Sequence, residues 1–289
     1  MKHIKIIIRG LLIFITMLLI GCNSAQKKES QKNIKNMETY EKGTFGYDYQ
    51  FLSSKQDVIL LHDSTEQSFI LLSPDWQGRV MTSSAGGMKG YSYGWINYDL
   101  IESGKVLEHM NAFGGEERLW LGPEGGKYTI YFQKGEDFVF ENWQVPKEID
   151  TEPFEIIKKN NQKAIFSKKM RLRNYVGTYL LLEVNRKVNI LSREKINSYL
   201  DITLSDNIKT VAYQSDNEII NLNDFLWDDE TGMVCIWMLC MFNPSAEVTV
   251  VIPLQEPTSE LVQPIVNDDY FGKVPADRLV IKNGIVYFK

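Results

Sequence analysis

Histidine and cysteine are each limited to three residues in this chain of 289. His3 lies in a basic, apolar leader, so His62 and His109 are the only imidazoles available to a folded domain. His62 closes an apolar run and reads as a strand-end surface group. Cys22 stands just after the leader. Cys235 and Cys240 lie in Gly232–Phe242, which reads as a buried strand, and five residues along a strand separates them by roughly 16 Å. A disulfide needs Cα atoms within about 7 Å, so both are expected as small core residues with no zinc site. The chain also lacks a Gly-x-Ser-x-Gly elbow, a Walker loop and a dinucleotide fingerprint, which removes the signals for the common nucleophile and phosphate chemistries. Acid pairs such as Asp228-Asp229 and Asp268-Asp269 lack EF-hand spacing and read as solvated turns. No metal and no cofactor is expected. No internal repeat is present, against a propeller.

What the chain does have begins with an address. Lys2, Lys5 and Arg9 precede an apolar run of ten residues, Leu11 to Ile20, too short to span a bilayer and shaped like a secretory h-region. It ends in Leu19-Ile20-Gly21-Cys22, which resembles the bacterial lipoprotein processing box. That resemblance implies cleavage before Cys22 and lipidation of Cys22, hence a cell-envelope protein held by a lipid anchor, on the periplasmic or surface side of an outer membrane. Residues 1–21 are then a signal peptide and 22–44 the lipidated cysteine with a flexible tether, polar and lysine-bearing over Asn23 to Asn36. Loss of the leader takes three cations and no anions from a formal charge of −5, leaving −8. So acidic a chain excludes nucleic acid as a partner, because a phosphate backbone needs a positive face. Residues 45–289 suffice for one large domain with a sizeable core.

That domain reads as antiparallel β. Asp57–His62, Ser68–Ser73, Arg79–Ser83, Lys127–Gln133 and Val248–Ile252 are strand candidates. The pattern is clearest in the middle. Phe166, Lys168, Met170 and Leu172 share one parity. Leu180, Leu182, Val184, Val188 and Ile190 share another, with a turn near Asn174–Gly177 making a long hairpin. Ser192–Tyr199 is the best helical stretch and a weak one. Asn283-Gly284 between two apolar runs signals a terminal type I′ hairpin. A large sandwich with one solvated face is the expected packing.

One region differs in composition. Gly78 to Gly126 holds eleven of the twenty glycines, and four of the six tryptophans fall between Trp76 and Trp143. Its centre, His109 to Gly126, brackets Glu116, Glu117, Arg118, Trp120 and Glu124 between two Gly-Gly pairs. If Leu119 and Leu121 face the core, alternation turns Glu116, Arg118 and Trp120 to a cleft. Guanidinium donors and an indole face together make a polar pocket with an aromatic floor. Arg118 either serves a ligand or pairs with a neighbouring Glu to hold the loop. Arg79, Trp95, Asn97 and Asn111 join the same proposed pocket. His109 and Glu124 are the candidate catalytic groups, since their pKa values are tunable toward working pH, and Glu124 is either a base or a second polar contact. A two-carboxylate glycosidase built from Glu116, Glu117 and Glu124 stays open.

Asp75–Thr82, Ser92–Asn97, Asn111–Gly126, Glu141–Pro146, Met241–Pro244 and Tyr270–Arg278 together resemble the motifs of an uncharacterised bacterial lipoprotein family, the domain of unknown function 6786, related to galactose mutarotase-like proteins. The resemblance covers about residue 45 to the end. It implies the all-β, antiparallel β-supersandwich of aldose epimerases, in which a concave sheet face binds sugar. Members of that family continue past the position matching Lys289, and true mutarotases take their catalytic base from a late Glu. The chain therefore reads as incomplete at its C-terminus, or as taking its base from elsewhere. Three functions follow as expectations: a lipid-anchored protein that binds carbohydrate or another small molecule; an aldose 1-epimerase-like or other carbohydrate-active enzyme; or a shortened, inactive copy. Oligomeric state is left open.

Overall fold

The structure is a computed structural model that describes residues 38–65, 67–255, 266–268, 270 and 272–289. The expected signal peptide, Cys22 and most of the tether lie outside the described residues. Among the described residues no helix is long and apolar enough to cross a membrane.

The fold is an all-β antiparallel sandwich. One sheet is β1 (Ile59–His62), β2 (Phe69–Ser73) and β3 (Arg79–Ser84) in that order. A bridge between Val80 and Glu117 continues it to β4 (Arg118–Gly122), which pairs with β9 (Cys235–Leu239). The facing sheet has the order β5 (Glu155–Lys159), β6 (Lys163–Arg173), β7 (Tyr179–Ile190), β8 (Tyr213–Asn221). Its β6–β7 hairpin, paired from Lys163↔Asn189 to Arg173↔Tyr179, is the one the alternation predicts. Ile70, Leu72, Val80, Leu119 and Leu121 from the first sheet meet Phe166, Met170, Leu182, Val184 and Val188 from the second in one core. Burial of this kind contributes about 25 cal/mol per Å² of apolar surface and drives the two sheets together. Near the C-terminus β10 (Val250–Pro253), β11 (Leu279–Lys282) and β12 (Ile285–Phe288) form a small third sheet in the order β10-β12-β11. Asn283 and Gly284 both have positive φ, 53° and 69°, as the Asn-Gly turn requires.

The expected solvated face is not found on the first sheet. Every residue of β2 is buried. Ile70 and Leu72 face the inter-sheet core, while Phe69 and Leu71 face a second core with Phe45, Leu52, Met81, Ile96, Ile101 and Phe113. Two helices cover this side, α1 (Phe45–Ser53) and α2 (Tyr98–Ser103). Thr44 and Asn97 are their N-caps, Asn97 Oδ1 accepting from the Leu100 amide at 3.2 Å. Asp48 of α1 is fully buried yet tied to Ser92 and Tyr98 by their hydroxyls, which locks the helix layer onto the sheet. Further on come the short helix α3 (Lys147–Asp150) and α4 (Arg193–Leu200), whose cap is Ser192.

Two other expectations are corrected. Lys127–Gln133 is a loop, not a strand. Thr129 accepts from the Tyr131 amide, donates to the Glu124 carbonyl and gives its own carbonyl to Tyr175, so local bonds replace a ladder. Cys235 and Cys240 are free, as expected, but exposed rather than in the core. Among the described residues β9 pairs only with β4, so it is an edge strand, and Cys240 lies just past its end.

A run of aromatic rings leads from the buried Trp120 out to the exposed Phe140. Trp120 stacks on Tyr131 at 5.5 Å, Tyr131 on Trp143 at 5.6 Å, and Trp143 on Phe140 at 6.2 Å. The Phe140 ring lies 4.6 Å from that of His109.

Candidate functional site

The glycine-bracketed segment divides into two environments. Gly114 and Gly115, at φ 94° and 118°, thread between β3 and the Trp95–Ile96 backbone. A Cβ on Gly114 would lie 2.2 Å from the Trp95 carbonyl oxygen. The first Gly-Gly pair therefore serves close backbone approach within the fold, a use that glycine alone permits. Gly125 and Gly126 meet nothing within 4 Å.

Two of the candidate residues, Asn111 and Arg118, converge on an acid that the sequence reading missed. Asp150 of α3 accepts from Arg118 Nη2 at 2.9 Å, from Asn111 Nδ2 at 2.7 Å and from the Asn111 amide. Arg118 also donates to the Ile149 carbonyl and lies 4.2 Å over the Trp120 ring. Both Arg118 and Trp120 are 1 % exposed, so alternation does not turn them to an open cleft. The bracing partner of Arg118 is Asp150 rather than a neighbouring Glu. Trp120 Nε1 donates to Glu124 Oε1 at 2.5 Å, and the Tyr270 hydroxyl donates to the other oxygen of Glu124. Burial holds the half-buried Glu124 carboxyl above its ordinary range. Arg79 is fully enclosed, donating to the Gly114 carbonyl and to Gln77. Burial and the nearby Arg118 charge depress its pKa well below the usual guanidinium value. Asn97 caps α2 and donates to the Ala112 carbonyl. Trp95 is half-buried, its backbone bonded to Met241 and Gly115. His109 Nδ1 meets the Trp143 carbonyl at 2.7 Å. His109 and Glu124 sit at opposite ends of the aromatic run, so the two candidate catalytic groups are not brought together.

Glu116 is placed elsewhere. It lines a cavity of about 560 Å³ between the end of β3, the Tyr91–Tyr93 segment, α4, Val211–Ala212 and Phe242–Asn243. Ser83 Oγ donates to Glu116 Oε1 at 2.8 Å. Oε2 is buried and has no hydrogen-bond partner. Burial pushes this carboxyl up to about 7, with the neighbouring Glu117 adding to the shift and Ser83 opposing it. Tyr93, also at the pocket, is raised by burial and by Glu116. Behind the pocket Glu117 is occupied: Arg186 Nη2 donates to it at 2.5 Å and Ser215 at 2.9 Å. Arg186 is itself fully buried and further donates to the Gly78 carbonyl and Asn217. Tyr213, raised by burial and by both carboxylates, completes the cluster. A buried carboxyl poised near neutral pH in a cleft is the form that acid–base groups take. Among the described residues no three His, Cys, Asp or Glu side chains gather as a metal site.

Of the residues missed, Arg186 had a signal. It occupies the gap in the Leu180, Leu182, Val184, Val188 stripe, so its parity alone puts a cation in the core. Ser83, Tyr93 and Asp150 carry none, because their proximity to Glu116 or Arg118 arises only from tertiary packing.

Residues 43–289 match the family described as "Family of unknown function (DUF6786)", and the chain belongs to that family. No curated protein and no solved structure matches it.

Proposed function

From the Glu116 pocket of this DUF6786 member we propose that the protein is a lipid-anchored component of the cell envelope that binds carbohydrate in this pocket. The observation that carries the reading is the Glu116 carboxyl, one oxygen bonded and the other without a partner, at a cavity bordered by Tyr91, Tyr93 and Phe242. Aromatic faces receive the C–H face of a sugar ring, and a few polar groups fix its orientation. The volume falls within the range of small-molecule sites, about 300–1,000 Å³. Arg79, Asn97, Asn111, Arg118 and Trp120 then act as the frame that holds the 114–116 backbone in place rather than as ligand contacts. The envelope address rests on the Leu19–Cys22 motif, and the mutarotase-like relationship on the sequence motifs given above.

A glycan array with the full chain in detergent, followed by saturation-transfer NMR, tests the reading. Binding that is retained in Trp95→Ala but lost in Tyr93→Ala and Phe242→Ala supports it. Absence of any saturable glycan in folded protein removes it. A second reading, an aldose 1-epimerase-like enzyme, is favoured by one specific observation: a carboxyl near pKa 7 can both give and take a proton. Anomer-exchange NMR separates the two, since turnover abolished in Glu116→Gln requires the enzyme and binding without exchange requires the binding protein.

A further inference from the structure

The charges around Glu116 do not balance within the protein. The groups that face it are Ser83 from β3, Tyr93 from the following segment, Glu117 next to it ahead of β4, Tyr213 from β8 and Cys240 after β9. The Arg186 guanidinium is already committed to Glu117 at 2.5 Å and to Asn217 and the Gly78 carbonyl, Arg118 is committed to Asp150, and Arg79 to Gln77 and the Gly114 carbonyl. Lys209 lines the pocket, but it is exposed and forms no ion pair with Glu116. An ionised Glu116 thus has a buried oxygen with neither a hydrogen bond nor a counterion. The pocket border supplies what such an oxygen lacks a partner for. Tyr91 and Tyr93 rings lie 5.7 Å apart at 60°, and Phe242 lines the same cavity. Tyr91 and Phe242 are 46 % and 41 % exposed, so their faces are open to a ligand. A carboxylate beside several aromatic faces is the chemistry that recognises an organic cation.

We propose that the ligand of this pocket carries an ammonium group, an amino-bearing sugar, with Glu116 Oε2 as the acceptor of that ammonium and the Tyr91, Tyr93 and Phe242 rings packed on the sugar and its amine-bearing carbon. The proposal rests on the carbohydrate reading above and narrows it. In the free protein Glu116 is largely neutral below pH 7. Binding then exchanges a proton for the ligand: the Glu116 carboxylic acid and the ammonium sugar give a carboxylate–ammonium pair, and one proton leaves to solvent. The linkage has a definite sign. The ionised form binds, so affinity rises with pH through about 7 and levels off near pH 8.

Isothermal titration of the full chain in detergent micelles with 6-amino-6-deoxyglucose and with glucose tests this. The alkylammonium stays charged across pH 6–8. The amino sugar is expected to bind about tenfold more tightly at pH 8 than at pH 6, the ratio of ionised Glu116 at the two values for a pKa near 7. Titrations at pH 6 in two buffers of different ionisation enthalpy are expected to show close to one proton released. Glu116→Gln keeps the shape of the pocket and is expected to lose both the preference for the amine and the pH dependence. Lys209→Ala removes a positive charge from the pocket lining and is expected to tighten amino-sugar binding. Equal binding of glucose and the amino sugar, independent of pH and lost in Tyr93→Ala, would overturn the ammonium assignment and leave carbohydrate binding standing. Binding of neither sugar to folded protein would overturn both. A Glu116→Gln chain that fails to fold leaves the wild-type pH ratio and proton count as the deciding measurements.

Discussion

Replacing Asp150 by Asn tests the electrostatic frame of the fold most directly. Asp150 is 4 % exposed and receives hydrogen bonds from Arg118 and from both the side chain and the amide of Asn111. Arg118 is equally buried, and its Nε has no partner. Arg79, fully buried nearby, also depends on the Asp150 charge to offset repulsion from Arg118. Neutralising Asp150 therefore strands one enclosed guanidinium and weakens the compensation of a second. Breaking a buried pair from one side costs about 3–5 kcal/mol. For a domain of this size each kcal/mol moves Tm by about 2–4 °C, which makes the expected fall roughly 6–20 °C. Guanidinium denaturation followed by far-UV circular dichroism gives the free energy, and calorimetry the Tm. The double variant Asp150→Asn with Arg118→Met is expected to recover most of the loss, since it removes the stranded charge and keeps the stem over Trp120. A loss below about 1 kcal/mol in Asp150→Asn, or a double variant worse than the single, would mean that Asp150 does not compensate the buried guanidinium charge.

Three further outcomes are expected. The Glu116 carboxyl is raised in the folded protein, so its contribution to stability is complete below the unfolded pKa and is lost as pH rises toward about 7. Glu116→Gln should accordingly gain roughly 2–3 kcal/mol relative to wild type between pH 5 and pH 8 in urea melts, and an unchanged difference would contradict a buried, titrating Glu116. Gly114→Ala places a Cβ against the Trp95 carbonyl, whereas Gly126→Ala meets open space at a similar positive φ. Gly126→Ala should cost only the left-handed backbone penalty, about 1–2 kcal/mol, and Gly114→Ala clearly more; equal losses would remove the close-approach argument. Cys22→Ala should release the protein from membranes on fractionation, and unchanged retention would rule out the lipid anchor.

The sheet regions were legible where one face was buried and the other was wet. The β6–β7 hairpin shows this, because its period of two survives over more than ten residues on each strand. The helix layer was not legible. α1 buries Phe45, Gly46, Asp48 and Leu52, so its inward stripe contains a glycine and a carboxylate, and Tyr47 and Tyr49 blur the polar side. With Asp48 counted as a surface group, the helical period vanishes. Only the distant Ser92 and Tyr98 hydroxyls make Asp48 an interior residue. The same limit applies at the candidate site. Composition singled out Gly78–Gly126, and Glu116 within it, but assumed that alternate residues share one environment. The strained passage at Gly114–Gly115 and the cover from α3 send Glu116 to a pocket and Arg118 with Trp120 to the core. Strand parity carries no information about which later segment will close over a face.

The file of rings from Trp120 through Tyr131 to Trp143 also gives the molecule an optical signature. Their planes are inclined by only 27° and 4°, close enough for their electronic transitions to couple. Near-ultraviolet dichroism should therefore carry a strong signal from the packed interior, and the emission of Trp120 should be sensitive to its bond with Glu124. The Glu116 cavity is bordered by tyrosines and a phenylalanine and by no tryptophan. Occupancy of the pocket and integrity of the core thus report in different chromophores, so a ligand titration can be followed in tyrosine while tryptophan certifies that the frame around it has not moved.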